Sequence, residues 1–218
     1  MANKNYKSVD ETSIVQMEVD KSRFIAVACH IEGVTDVKSM VGSLKKSNKD
    51  AKHVAYAYRL NEDMSISRHN DDGEPSGSAG LPIFEVLKKH ELTNTLIAVV
   101  RYFGGRELGK SKLTRTYGAV ANEAIKNAKI FVTQFCNVYE MKVSYSDFAV
   151  LGKFFNEKGF YVIEQNAKDT TMPFLKVAIP QEDADKNLEA IKQRVRGASL
   201  ITKVGTGYYR SKANIIAK

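Results

Sequence analysis

The chain has 218 residues, of which 43% are hydrophobic and 27% charged, a balance that excludes a wholly disordered polypeptide. Its formal charge is +8 with an isoelectric point near 9.3, which raises the prospect of a polyanionic partner. Two cysteines, Cys29 and Cys136, exclude a disulfide scaffold and a four-thiolate zinc site, and four prolines with no tryptophan leave no low-complexity class open.

In chain order, the segment before Glu18 is polar and lacks the apolar core of a signal peptide. No window approaches the ~20 apolar residues that a membrane span requires, so a reduced, cytoplasmic protein without membrane contact is expected. Lys21–His30 reads as a strand. Thr35 is positioned to cap a helix carrying Val37, Met40, Val41 and Leu44 at helical spacing. His53–Leu60 alternates: Val54, Tyr56, Tyr58 and Leu60 form a bulky face, and Ala55, Ala57 and Arg59 a small one. A turn at Asn61–Asp63 leads to a neighbouring strand over Met64–Arg68.

The stretch from Asp71 to Pro82 holds three acids, a run of glycine and serine, and two prolines. Pro82 suits the first turn of a helix with Ile83, Val86 and Leu87 on its apolar side. Thr95–Phe103 is an apolar run expected to be buried on both faces. It ends in Gly104-Gly105, a tight turn or a close backbone approach. Ser111–Lys129 is the longest helix, with Leu113, Tyr117, Val120, Ala121, Ala124, Ile125 and Ala128 inward.

A short linker is expected near residues 130–136, dividing the chain into domains 1–133 and 134–218, each carrying a net charge of +4. The second part reads as strand Val138–Tyr145, a helix capped by Ser146 or Asp147 and stopped by Gly159, strands Phe160–Gln165 and Phe174–Pro180, a helix Asp183–Arg196 stopped by Gly197, and strand Ser199–Val204. That β-α-β-β-α-β order is ferredoxin-like, so the fold class is α+β with two domains.

Two clusters carry candidate chemistry. Asp71, Asp72 and Glu74 could hold a divalent cation through oxygen, or could lock a turn by accepting neighbouring backbone amides or an arginine; the spacing is not that of a calcium loop. Ser76, Gly77, Ser78 and Gly80, just ahead of a helix, could cradle an anion or serve packing, and no P-loop lysine follows. The second cluster follows Arg101, whose charge at the end of an apolar strand needs a partner such as Asp71, Asp72 or Glu74. Tyr102 and Phe103 could stack unpaired RNA bases or divide between core and rim. Arg106, Lys110, Lys112 and Arg115 could meet phosphates. From Arg101 to Lys129 seven basic residues face only Glu107 and Glu123. His69 could act as a base toward Ser76 or Ser78, or be a surface histidine. Cys29 reads as a small buried hydrophobe. No metal signature, catalytic triad or cofactor motif is evident, so no catalytic residue, metal or cofactor is assigned.

These blocks resemble a known family. Lys21-Ser22-Arg23-Phe24-Ile25, Ala55-Tyr56-Ala57-Tyr58-Arg59, the run Asp71 to Pro82, and Val100-Arg101-Tyr102-Phe103-Gly104-Gly105 with Leu108-Gly109 are similar, in order, to the YigZ/IMPACT family over roughly residues 20–128. The resemblance implies a first domain of the ribosomal-protein-S-five domain-two type and a second similar to the ferredoxin-like C-terminal part of elongation factor G. It implies translational control, with the ribosome, RNA or a protein of the translation machinery as partner. Eukaryotic relatives restrain a starvation-sensing kinase pathway largely through a separate N-terminal domain. Residues 1–20 alone precede the first block here, so that role is not expected to carry over. Two positions depart from the family pattern: Lys110, Ser111 and Lys112 replace a glycine-rich turn, and Val54 or Ala55 stands where a polar or thiol residue is usual. Three readings follow: a ribosome- or RNA-binding regulator, an enzyme or ligand-binding protein using the Gly/Ser loop for a phosphorylated substrate or nucleotide, and a protein-binding adaptor.

Overall fold

A computed structural model describes residues 5–168, 172–196 and 199–216, with side chains as far as residue 210. The chain forms two compact units, Tyr6–Phe131 and Val132–Ile215.

The first unit is built on a five-stranded antiparallel sheet in the order β2-β3-β6-β4-β5. Its strands are β2 (Ser13–Val19), β3 (Ser22–His30), β4 (His53–Leu60), β5 (Ile66–Asn70) and β6 (Thr95–Tyr102), preceded by the short β1 (Tyr6–Val9). Helices α1 (Val34–Ser47), α2 (Gly80–Lys89) and α3 (Lys110–Asn127) cover the sheet. β6, the apolar run, is central and buried on both faces.

The two faces differ in residue size for a packing reason. Ala26, Ala28, Ala55 and Ala57 lie with Ile97 and Val99 against Ile83, Leu87, Leu113, Tyr117, Val120 and Ala121 of α2 and α3. Their short side chains let two helices approach the strands closely. On the other face Cys29, Val54, Tyr58, Leu60, Leu96 and Val100 pack with Val37 and Val41 of α1. A single helix leaves more space there, and the bulky set fills it to the density that interiors require. The alternation expected for residues 53–60 is therefore a division of labour between one helix and two.

Several local expectations change. The polar N-terminal stretch contains β1 and β2. Val15, Met17 and Val19 pack on the α2/α3 core, while Ile14, Gln16 and Glu18 are exposed, the half-buried pattern of an edge strand. The first helix is capped at Gly33, not Thr35: the Asp36 carboxylate accepts the Glu32 and Gly33 amides at 2.8 and 3.1 Å, satisfying donors that the helix start leaves free.

In the second unit β7 (Ile130–Lys142), α4 (Tyr145–Lys158), β8 (Tyr161–Asn166), β9 (Phe174–Pro180), α5 (Ala184–Lys192) and β10 (Leu200–Ile216) follow in order. β7 and β8 flank β9 in antiparallel pairs and β10 pairs with β7. Numbered within the unit, the strands stand four-one-three-two. This α+β arrangement is the ferredoxin-like one expected from element order. Residues 130–136, expected as linker, are strand. Ser144 caps α4 by accepting the Asp147 amide, so Asp147 sits within the first turn, and Gly159 ends the helix at φ 67°. The expected stop at Gly197 lies outside the described residues. No described helix is long and apolar enough to cross a membrane.

Candidate functional site: a basic rim at one end of the first sheet

Strand register brings four segments to one end of the sheet. Arg101 is opposite both Phe24 and His53, and Arg23 is opposite Tyr102. The β2–β3 turn, the head of β4, the loop after β5 and the end of β6 therefore meet.

The acidic Gly/Ser loop is held from within. Asp71 accepts the backbone amides of Gly77, Ala79 and Gly80 at 2.9, 3.0 and 2.8 Å. Burial pushes its pKa up, but those amides, with His69 nearby, outweigh burial and hold it below the ordinary carboxylate value. Asp72 accepts the Val54 amide at 2.7 Å and pairs with Lys45; again burial raises its pKa while Lys45 and the Val54 amide bring the net value down. Glu74 is buried. It receives Arg101 at 2.6 Å and the Tyr117 hydroxyl at 2.8 Å, with His53 Nε2 at 3.9 Å. Burial first, and then the Glu74 charge, drive the Tyr117 phenol far above its normal pKa, so it stays protonated and donating. A buried ion pair gives modest net stability but fixes which groups may meet, because an unpaired charge here would be costly.

Of the amides expected to cradle an anion, those of Gly77, Ala79 and Gly80 are thus taken by the chain's own carboxylate, and that of Ser78 by the Pro75 carbonyl. Gly80 has a further role: a Cβ there would fall 2.7 Å from the Asn70 backbone nitrogen. Ser76 is exposed, whereas Ser78 is fully buried and its hydroxyl has no hydrogen-bond partner among the described residues. His69 is an exposed ring stacked on Phe84 at 5.8 Å. No group of three or more potential metal ligands occurs among the described residues.

The second cluster divides. Arg101, expected on a nucleic-acid surface, is 4% exposed and committed to Glu74; its charge neutralises the loop instead of facing solvent. Tyr102 donates its hydroxyl to Asn48 at 2.6 Å, and the Arg23 guanidinium lies 4.1 Å from its ring centroid. Phe103 is 42% exposed, with Lys52 Nζ 4.8 Å from its centroid. Gly104 packs directly on the Lys21–Ser22 backbone, and its amide donates to Ser22 Oγ at 3.2 Å. Lys112 pairs with Asp20 at 2.6 Å; that hydrogen bond, with the charges of Lys112 and Arg106, lowers the Asp20 pKa. Arg106, Lys110 and Arg115 are exposed and make no ion pair within 4.0 Å among the described residues. The same holds for Lys21, Arg23 and Lys52.

Sequence reasoning grouped Arg101, Tyr102, Arg106, Lys110, Lys112 and Arg115 as one candidate cluster. It missed Arg23 and Lys52, which come from segments distant in the chain. Arg23 did carry a signal, since it stands in the first family block. Tyr117 was read as core, and only the fold shows its hydroxyl aimed at Glu74.

Comparison with known proteins places the chain. The Impact N-terminal domain model matches residues 20–125. The IMPACT family member YvyE of Bacillus subtilis is 36% identical over 156 residues, covering 70% of this chain and 69% of the relative. YigZ of Escherichia coli is 37% identical over 111 residues, covering 50% of this chain and 54% of that protein. A crystal structure of a hypothetical protein superposes over 92% of this chain and 98% of its own, with a TM-score of 0.59 at 25% identity. The matched residues include both clusters of the rim, and on this ground the chain belongs to the IMPACT family.

Proposed function

We propose that the protein is a translation-associated regulator that binds the ribosome or RNA, in the cytoplasm, through the basic rim of its first unit. The observation that carries this reading is the collection of exposed cations, Lys21, Arg23 and Lys52 at this end of the sheet and Arg106, Lys110 and Arg115 in the segment that follows β6, none forming an ion pair within 4.0 Å among the described residues. Cations without internal partners are free to exchange condensed counterions for phosphates. Family membership supports the link to translation. The buried Glu74–Arg101 pair braces the rim without facing a ligand. Nothing favours the nucleotide-enzyme reading in particular, because Asp71 already takes the amides that a phosphate would use.

The test is co-sedimentation with ribosomes across a salt series. Binding is expected to weaken steeply with salt and to be lost when Arg106, Lys110 and Arg115 are all changed to Glu. Lys112 is left in place because Asp20 holds it. A triple variant that sediments like the parent would remove the rim as the contact surface. Association indifferent to both salt and nuclease would point instead to a protein adaptor.

A further inference from the structure

The rim holds two aromatic surfaces that phosphate binding alone does not require. The Arg23 guanidinium carbon lies over the Tyr102 ring, 4.1 Å from its centroid, and the Tyr102 hydroxyl is anchored on Asn48. Arg23 is exposed, and although Glu18 stands opposite it in the β2–β3 register, no ion pair forms between them. The guanidinium is therefore held over a ring that is itself anchored while the residue stays exposed to solvent. Phe103, the next residue along, is 42% exposed, with Lys52 over its ring at 4.8 Å and Arg101 at 5.8 Å. Tyr102 ends β6 and Phe103 follows it, so two rings adjacent in the chain each lie beside an exposed cation, Arg23 at Tyr102 and Lys52 at Phe103.

We propose that Arg23, stacked on Tyr102, and Phe103 form a seat for unpaired bases, so that the rim takes single-stranded RNA in preference to duplex. This rests on the RNA-binding reading above and narrows it. Aromatic rings and guanidinium planes bind the faces of splayed bases, and those faces are inaccessible in a duplex. A duplex would meet the rim through phosphates alone and would gain nothing from Phe103. An acidic protein partner would use the cations but would not need a guanidinium held over a tyrosine.

The experiment uses the full chain, with a fluorescent twelve-nucleotide oligouridylate and a twelve-base-pair RNA duplex as probes at one fixed salt concentration. The expected result is tighter binding of the single strand. Phe103→Ala and Arg23→Lys should each weaken oligouridylate binding about five- to hundredfold, the range of one stacked base, and leave duplex binding within about twofold. Arg23→Lys keeps the charge and removes the plane, so it separates stacking from attraction to phosphate. Unchanged thermal unfolding of both exposed-site variants checks that the fold is retained. If both RNAs bind equally and both variants behave as the parent, the stacking seat is wrong while the RNA-binding rim stands. If a variant weakens single strand and duplex alike, stacking is likewise overturned. If neither RNA binds, the seat and free-RNA binding both fall, and ribosome co-sedimentation alone decides whether the rim contacts the ribosome.

Discussion

Asp71 is a carboxylate spent entirely on its own loop. Three amides from residues six to nine positions ahead converge on it, and they hold its pKa below the ordinary value despite burial. A carboxyl whose folded pKa is depressed contributes stability that is fully present above its unfolded pKa of about 3.9 and is lost as the pH falls through the folded value. Asp72 shifts in the same direction. Asp71→Asn removes the charge and turns one acceptor into an NH₂ group facing amide donors. The variant is expected to melt below the parent at pH 7, and the gap to close only as the pH falls through the depressed folded pKa and the parent carboxyl is protonated as well. Thermal unfolding between pH 2 and 7 measures this. A constant gap across that range would mean that Asp71 acts by shape and not by charge. The composition of residues 71–82 announced a turn. It could not announce that the turn is self-capped, because a carboxylate satisfied internally and one waiting for a cation read alike in sequence.

At the scale of elements, legibility followed the strength of the periodic signal. β4, β6, β9 and α3 were plain because their apolar faces are complete. β2 was missed because, as an edge strand, it buries only alternate residues, and its Val15, Met17 and Val19 are interleaved with Ile14, Gln16 and Glu18. The expected linker at 130–136 is strand for a related reason: partial burial along β7 resembles connection when its partners are unknown. The rim itself is a product of register, which places Arg23 beside Tyr102 and Lys52 beside Phe103 although nothing in their spacing links them. Gly104 ties this end together. A Cβ at that position would collide with the Lys21–Ser22 backbone, which cannot move aside as a flexible side chain would. Gly104→Ala is therefore expected to lower stability by about 1–3 kcal/mol through overpacking, read as a reduced urea midpoint at unchanged slope. An unshifted midpoint would show that the β2–β3 turn yields freely, and the rim would then lack the rigidity that a preformed stacking surface needs.

At the scale of the molecule, the basic excess of the whole chain was a weak guide, because it divides evenly about residue 133. What matters is which cations remain unpaired, and only the fold separates Arg101, buried on Glu74, from Arg106 and Lys110, exposed to solvent. The two cysteines offer a probe of each unit, since Cys29 lies in the first and Cys136 in the second, both buried in apolar clusters. Burial pushes each thiol up to about 11. At pH 8 roughly one thiol in a thousand would be ionised in the folded units, against about a quarter at the unfolded value of 8.5. Alkylation at pH 8 should accordingly be more than a hundredfold slower in the native protein than in denaturant at both sites, because steric protection adds to the suppressed thiolate. Labelling followed by peptide mass analysis, repeated through a urea series, reads the opening of each unit from its own cysteine. Rapid native labelling at Cys136 alone would mean that the sheet of the second unit opens under conditions where the first stays closed, and the cluster of Cys136, Val138 and Ala178 would then be a transiently exposed surface instead of a settled core.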